Sequence, residues 1–218
     1  MRIRKFLTVA LSTVVIAGIT YYLWSDKTNF VRKDSRQNPA GKFPLLTEER
    51  EILFLASLAP SGHNTHPWFI KYIEPYHWII CNDKTKWLSA VDPAQRETIL
   101  SIGAFMQNLE YAAGNAGYHC QFDILATTNQ SENIADVKLT KSGSNPVFNI
   151  DKIKNRRTVR SNYLNDSLKT ADINYLFTEE KDFFNFIHNG SKEYQYLNEQ
   201  TIEANKIQSY RDAAEKEL

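Results

Sequence analysis

The chain has few of the residues that usually carry metal or redox chemistry. It contains two cysteines, Cys81 and Cys120, and neither lies in a CxxC pair or beside a cluster of histidines. We therefore expect two buried, small apolar side chains rather than a zinc site or a redox dithiol. A disulfide between the two cysteines is the alternative. The sequence predicts no metal site.

The chain also lacks an excess of charge of either sign. Its 26 lysines and arginines face 25 aspartates and glutamates, which leaves a formal net charge of +1. Such a balance gives no basic field to attract nucleic acid, so we expect small-molecule or protein partners. With 42% hydrophobic and 23% charged residues, the 218-residue chain can bury the core of one domain or somewhat more.

Two catalytic signatures are absent as well. No GxGxxG follows a predicted strand, which disfavours a Rossmann dehydrogenase, and Ser61 lacks the flanking glycines of a GxSxG elbow, which disfavours a serine hydrolase. His63 and His66 are the nearest candidates for an acid or a base, but a histidine in a turn more often only forms hydrogen bonds. The sequence therefore predicts no catalytic side chain.

One long uncharged run is present at the start of the chain. Residues 6–24 follow Arg2, Arg4 and Lys5 and are long enough to cross a hydrocarbon core of roughly 30 Å as a helix. The bulky residues 20–24 disfavour a cleavable signal peptide, which remains the alternative. We expect residues 1–24 to anchor the chain in a bacterial inner membrane with its body extracytoplasmic, and the polar residues 25–42 to form a linker.

Apolar spacing and turn residues predict the elements of the body, which begins near residue 43. Asp92 as N-cap and Pro93 at the first helical position predict the start of a long helix. Two apolar runs around Glu74-Pro75-Tyr76-His77 predict a hairpin. The predicted helices span residues 47–59, 92–117, 170–177 and 191–218, and the predicted strands span residues 68–73, 78–81, 120–126, 136–140 and 183–187.

A polar turn joins the first predicted helix to the first predicted strand, and it reads Pro60-Ser61-Gly62-His63-Asn64-Thr65-His66-Pro67-Trp68. It resembles the flavin-binding turn of the nitroreductase family of FMN oxidoreductases, which usually reads Pro-Ser-x-x-Asn-x-Gln-Pro-Trp. The resemblance implies that Ser61, Gly62, Asn64 and His66 face the flavin ring or ribityl chain, with His66 in place of the family's Gln. An ordinary helix–strand loop is the alternative.

A second motif lies in the basic stretch that begins at Ile153. Arg156, Thr158 and Arg160 alternate, so in an extended segment they would project together, and guanidinium groups with a hydroxyl suit a phosphate. A solvated basic turn is the alternative. The pattern resembles the Arg-x-Ser-x-Arg element with which nitroreductase domains hold the FMN phosphate.

The order of the two motifs is unusual, because the phosphate element comes first in single-domain nitroreductases. The chain is similar to a longer subgroup in which two nitroreductase-like halves form a pseudo-dimer. The resemblance implies a first half at residues 43–145 and the start of an incomplete second half at residues 146–218. Phosphate and ring would then be held by different halves, within one chain or across a homodimer.

The resemblance implies an α+β fold, a nitroreductase-like sheet with packed helices, and the uncharged run at residues 6–24 predicts one transmembrane helix before it. It also implies FMN as cofactor and NAD(P)H as co-substrate, with reduction of a nitro compound, a quinone or a similar acceptor. Two alternatives stay open. One is a non-catalytic protein that sequesters flavin, and the other is a membrane-tethered binding protein that has lost the cofactor.

Overall fold

The computed structural model describes residues 45–142, 148–159, 164, 166–176 and 185–217. Within these ranges the helices are α1 (Thr47–Ser57), α2 (Arg96–Asn115), α3 (Ile150–Asn155), α4 (Thr170–Leu176), α5 (Lys192–Ser209) and α6 (Asp212–Glu217), and the strands are β1 (Trp68–Glu74), β2 (His77–Asn82), β3 (Tyr118–Ile124) and β4 (Asn133–Lys141). No helix within these ranges combines the length and apolar character needed to cross a bilayer. The predicted anchor and linker lie outside them.

The four strands form one antiparallel sheet in the order β1-β2-β4-β3. The turn at Pro75 and Tyr76 joins β1 to β2, and Tyr76 has a positive φ of 61°. β4 is inserted between β2 and β3, so the second hairpin lies beside the first. The predicted α+β class and the predicted first hairpin are confirmed.

The core lies between one face of the sheet and the helices α1 and α2. Trp78, Ile80 and Val137 are fully buried on the sheet, and Phe105 and Leu109 are buried on α2. Phe105 and Leu109 recur at the helical spacing that predicts α2, and Trp78 and Ile80 lie two residues apart, so they share one face of β2. α3 adds Ile153 to the same core.

The two cysteines are buried, as expected, and they form no disulfide with each other. Cys120 lies on β3, where burial raises the pKa of its thiol to about 12. Burial also raises the pKa of the Cys81 thiol. Both side chains therefore stay protonated at neutral pH and serve as small core residues.

The start of α2 differs from the prediction. The helix begins at Arg96, and Pro93 lies in the preceding turn. Asp92 is still the capping side chain, because its carboxylate accepts hydrogen bonds from the backbone N–H groups of Arg96, Glu97 and Thr98 at 2.8, 2.9 and 3.1 Å. Gln95 makes the intervening turn possible with a left-handed φ of 55°. The sequence identified the capping residue and placed the helix three to four residues too early.

Two predictions for the C-terminal part need correction. The predicted helix from residue 191 onward is two helices, α5 and α6, which are separated at Tyr210 and Arg211. Arg211, which lies at the break, donates to the Ala90 carbonyl at 2.6 Å. The predicted continuous helix gave no reason to expect this contact. Residues 185–187 of the predicted strand have no regular structure, while residues 183–184 lie outside the described part. Helix α4 is described as far as Leu176, and residue 177 of the prediction lies outside the described part.

A cluster of two tyrosines and one carboxylate joins α1 to the sheet. The hydroxyls of Tyr118 and Tyr76 donate to Glu48 Oε2 at 2.5 and 2.9 Å, and the two rings stack at 4.8 Å. These hydrogen bonds, that of Tyr118 above all, lower the pKa of the Glu48 carboxyl. Burial, followed by the hydrogen bond to Glu48, raises the pKa of the Tyr118 hydroxyl.

We expect Tyr118→Phe to destabilise the protein in a pH-dependent way. The lowered pKa of Glu48 means that its contribution to stability is present above the pKa of an unfolded glutamate and is lost as the pH falls through the lower, folded value. The free energy of unfolding of wild type should therefore exceed that of Tyr118→Phe at pH 7 by about 1 kcal/mol. Urea unfolding from pH 7 to pH 3 should show this difference shrinking.

The matched control is Tyr196→Phe, because Tyr196 is 62% exposed on α5. Its difference from wild type should be small and constant with pH. A Tyr118→Phe difference that stays constant between pH 7 and pH 3 would contradict the proposed role of the Glu48 hydrogen bond.

Candidate functional site

The turn from Ser61 to His66 has an unusual backbone. His63, Asn64 and His66 have positive φ values of 47°, 60° and 51°. A left-handed conformation costs roughly 1–2 kcal/mol in most residues, although asparagine tolerates it better. Non-glycine residues held in this way cluster at ligand sites, where the surrounding structure fixes them. The geometry of the turn alone therefore makes it a candidate ligand site.

Hydrogen bonds within the turn hold this backbone. The N–H groups of Asn64 and Thr65 donate to the carbonyls of Ser61 and Gly62, both at 3.1 Å. The N–H of His66 donates to Ser61 Oγ at 3.1 Å. Because these N–H groups already have partners inside the turn, a ligand there would be recognised mainly by side chains.

Helix α2 fixes the turn from outside. The N–H of Gly62 donates to Ser101 Oγ at 3.0 Å, and the Ser101 hydroxyl donates to the Glu97 carbonyl at 2.6 Å. A Cβ at position 62 would lie only 2.8 Å from Glu97 Oε2. Glycine at this position thus allows the turn to lie directly against the Glu97 carboxylate.

Asn64 and His66 form a pair rather than two independent ligand contacts. His66 Nε2 lies 3.0 Å from Asn64 Oδ1, and since that oxygen carries no proton, the ring nitrogen must donate. Asn64 Nδ2 is then the donor that remains for a ligand. The His66 ring lies 5.2 Å from the Trp68 ring, which in turn lies 5.2 Å from the Phe105 ring of the core. His66 thus orients the Asn64 amide.

A surface cavity of about 240 Å³ opens beside the turn. It is lined by Pro60, Ser61, Gly62, Glu97, Leu100, Ser101 and Ala104. Its walls are mostly apolar, and Leu100 is 74% exposed although it is a large aliphatic residue. The lining contains one carboxylate and no basic residue. The cavity suits part of a flat, uncharged ring system better than an anion.

The predicted phosphate ligands lie on a separate segment, directly after α3. Arg156 Nη1 donates to Thr158 Oγ1 at 3.3 Å, so these two side chains lie together as predicted. Arg156 Nε is buried and has no hydrogen-bond partner within the described ranges. Arg160 lies outside those ranges. Neither Arg156 nor Thr158 lines the cavity beside the turn.

Sequence reasoning did not find Glu97 or Ser101. They lie about 35 to 40 positions beyond the turn, and each is an ordinary polar residue on an amphipathic helix. Glu97 Oε2 also lies 4.0 Å from His63 Nε2, at a position where both side chains are partly exposed. The one local signal was the Glu-x-x-x-Ser spacing, which places both residues on the same face of α2. In the described part of the chain no group of three or more potential metal ligands is present.

Comparisons with known proteins find a similarity among solved structures. No protein-family profile matches the chain, and no curated protein does either. A nitroreductase-like protein from Streptococcus mutans, solved by crystallography, is similar over 51% of this chain and 86% of its own. The sequence identity is 16% and the TM-score is 0.36. A similarity at this level does not establish a family.

Ser101→Ala should loosen the turn because it removes the acceptor for the Gly62 N–H, a part-buried group. Leaving such a donor without a partner costs about 1–3 kcal/mol, so we expect a loss of this size in the free energy of unfolding. Ser89 is exposed, and Ser89→Ala is the matched control. Urea unfolding measures both variants. Equal stability of Ser101→Ala and Ser89→Ala would show that the hydrogen bond to Gly62 contributes nothing.

Proposed function

We propose that the protein is an FMN-binding oxidoreductase of the nitroreductase type, which uses NAD(P)H to reduce a nitro compound, a quinone or a similar acceptor. The observation that carries the proposal is the turn from Ser61 to His66. It combines a left-handed backbone, one oriented amide donor and an adjacent apolar cavity, at the residues that resemble the family's flavin-binding turn.

The donor set fits the chemistry of FMN at two places. Asn64 Nδ2 suits a carbonyl oxygen or a nitrogen of the ring, and the apolar walls of the cavity suit the ring's face. Arg156 Nε is a buried donor that lacks an acceptor in the described part of the chain, as expected for a residue that binds an anion. Arg156, Thr158 and Arg160 would hold the phosphate, and Ser61, Gly62, Asn64 and His66 the ring or ribityl chain.

A bound flavin would supply the hydride chemistry of the reaction. The residues of this chain would bind and orient it. His66 keeps the Asn64 amide in one orientation, and Ser101 and Glu97 keep Gly62 against α2. The carboxylate of Glu97 would oppose a negative charge in the cavity and so disfavour anionic ligands there.

The proposal includes the assembly and location of the protein. Since the two groups of cofactor residues lie on separate segments, we propose that the site is completed within an intrachain pseudo-dimer or by a homodimer. We also propose that residues 1–24 anchor the chain in a bacterial inner membrane with its body extracytoplasmic. The electron acceptor is then a small molecule that reaches that side of the membrane.

A second candidate is a protein that binds flavin without turnover. The observation that favours it is the pairing of His66 with Asn64, because the side chain that replaces the family's Gln is engaged inside the turn. Sequestration needs only the binding residues and no route for NAD(P)H. A membrane-tethered interaction protein without cofactor is the remaining alternative.

The absorbance spectrum of the purified full chain, followed by addition of NADPH or NADH, tests the proposal. We expect flavin absorbance near neutral pH, bleaching by the nicotinamide and recovery on addition of a quinone. A flavin spectrum that the nicotinamides leave unchanged would favour sequestration. A protein that stays colourless after incubation with FMN would contradict both flavin proposals.

Asn64→Asp tests the proposed contact at the turn. Aspartate keeps an acceptor for His66 and tolerates the left-handed backbone, but it replaces the Nδ2 donor with a negatively charged oxygen. We expect FMN affinity to fall by about tenfold to a hundredfold, which corresponds to the loss of a hydrogen bond worth about 1–3 kcal/mol. The reduction potential of the bound flavin should also fall, since a nearby negative charge opposes electron uptake.

Riboflavin serves as the control ligand. Asn64→Asp should weaken FMN and riboflavin equally, whereas Arg156→Ala should weaken FMN alone, because riboflavin lacks the phosphate. Arg157→Ala is the matched control for Arg156, since Arg157 is exposed on the same segment. Unchanged affinity and potential in Asn64→Asp, with a lower melting temperature, would make Asn64 a turn residue only.

A further inference from the structure

The C-terminal helix α6 is attached to the loop that precedes α2. Ala214 is buried, with 1% of its surface exposed. Arg211 donates to the Ala90 carbonyl at 2.6 Å. Glu217 Oε2 accepts hydrogen bonds from the N–H groups of both Ala90 and Val91, at 2.8 and 2.9 Å. On the preceding helix α5, residues 192–207 are exposed, and Gln208 near its end donates to the Val91 carbonyl at 3.4 Å, so the described contacts with the body lie at this end.

These contacts act at a sensitive position in the chain. Val91 directly precedes Asp92, whose carboxylate caps three N–H groups at the start of α2. Backbone N–H groups that a carboxylate holds form charge-assisted hydrogen bonds, which are stronger than those between neutral groups. Holding Ala90 and Val91 therefore restricts where Asp92 can place its own carboxylate.

From Asp92 a continuous series of contacts leads to the candidate site. Asp92 Oδ2 accepts from the N–H of Glu97 at 2.9 Å, and the carbonyl of Glu97 accepts from the Ser101 hydroxyl. Ser101 Oγ in turn accepts from the N–H of Gly62. Each step of this series is a hydrogen bond that connects one residue to the next. Displacement of the loop at Val91 would thus be transmitted to the turn.

We propose that Glu217 is a positioning residue for the turn from Ser61 to His66. Its carboxylate fixes the loop at Ala90 and Val91, the loop fixes the Asp92 cap, and the cap fixes the first turns of α2 against Gly62. The inference concerns the shape of the turn and needs no bound cofactor. Its consequence for FMN affinity rests on the proposed function.

Hydrogen–deuterium exchange of the full chain, followed by mass spectrometry, tests this inference. In Glu217→Ala the N–H groups of the peptide from residue 61 to residue 66 should exchange about tenfold faster, because loss of the carboxylate lowers the cost of local opening. Glu217→Gln keeps an oxygen acceptor and should fall between wild type and Glu217→Ala. Glu215→Ala, an exposed glutamate on the same helix, should exchange like wild type.

An internal reference separates positioning from general destabilisation. The N–H of Tyr76 donates to the buried Glu49 carboxylate at 2.7 Å and is not part of the series of contacts from Glu217. Its peptide should exchange at the wild-type rate in every variant. Equal acceleration of the Tyr76 peptide and the turn in Glu217→Ala would overturn the inference, and so would an unchanged turn.

FMN binding gives the second arm of the experiment. If wild type binds FMN, Glu217→Ala should weaken FMN, because a displaced turn no longer holds the Asn64 amide in its binding orientation, and Glu217→Gln should weaken FMN by less. An unchanged affinity in Glu217→Ala would overturn the link to the site. If wild type does not bind FMN, the proposed function fails, while the exchange rates alone still decide whether Glu217 positions the turn.

Discussion

The cap that the Asp92 carboxylate forms at the start of α2 is the interaction on which the rest of the described fold most depends. Asp92 is 8% exposed and satisfies three N–H groups at the start of the 20-residue helix α2. Gln95 completes the cap, because its amide donates to the Asp92 carbonyl at 2.8 Å and accepts from the Thr98 hydroxyl at 2.8 Å. A buried polar network of this kind stabilises the fold only when its members have hydrogen-bond partners. Asp92, Gln95 and Thr98 all have such partners.

Because the cap sets where α2 begins, helix α2 fixes the position of the whole site. Its inner face packs Ile102, Phe105 and Leu109 into the core, so the helix cannot rotate without losing buried apolar surface. The same helix carries Glu97 and the buried Ser101 against the turn. The strained backbone at residues 63–66 is therefore fixed by a helix whose own position is set by the core. Strain at a site persists only when the surroundings determine it in this way.

Sequence patterns found the elements and missed the contacts that connect them. The helical spacing of Ile102, Phe105 and Leu109 reports burial directly, so α2 was predictable, as was the hairpin at Pro75. The start of α2 was not, since Pro93 favours an early start and only the left-handed Gln95 moves it to Arg96. The bonds of Ser101 and Glu217 to distant backbone N–H groups leave no periodic signal, because one polar side chain at a helix surface looks like any other.

The distribution of charge around the turn bears on how a ligand would lie. His66 can donate to Asn64 Oδ1 as a neutral ring with a proton on Nε2 or as a charged ring, so the amide keeps its orientation in both states. Among the residues that line the cavity, Glu97 is the charged one, and its carboxylate opposes an anionic group there. Arg156 and Arg157 lie on another segment, and Arg156 Nε is a buried donor that has no acceptor in the described part of the chain. On the proposed assignment, a ligand with an uncharged ring and an anionic tail would therefore place the ring beside Gly62 and its tail toward Arg156. The reverse arrangement would bring the anionic tail close to the negative Glu97 carboxylate.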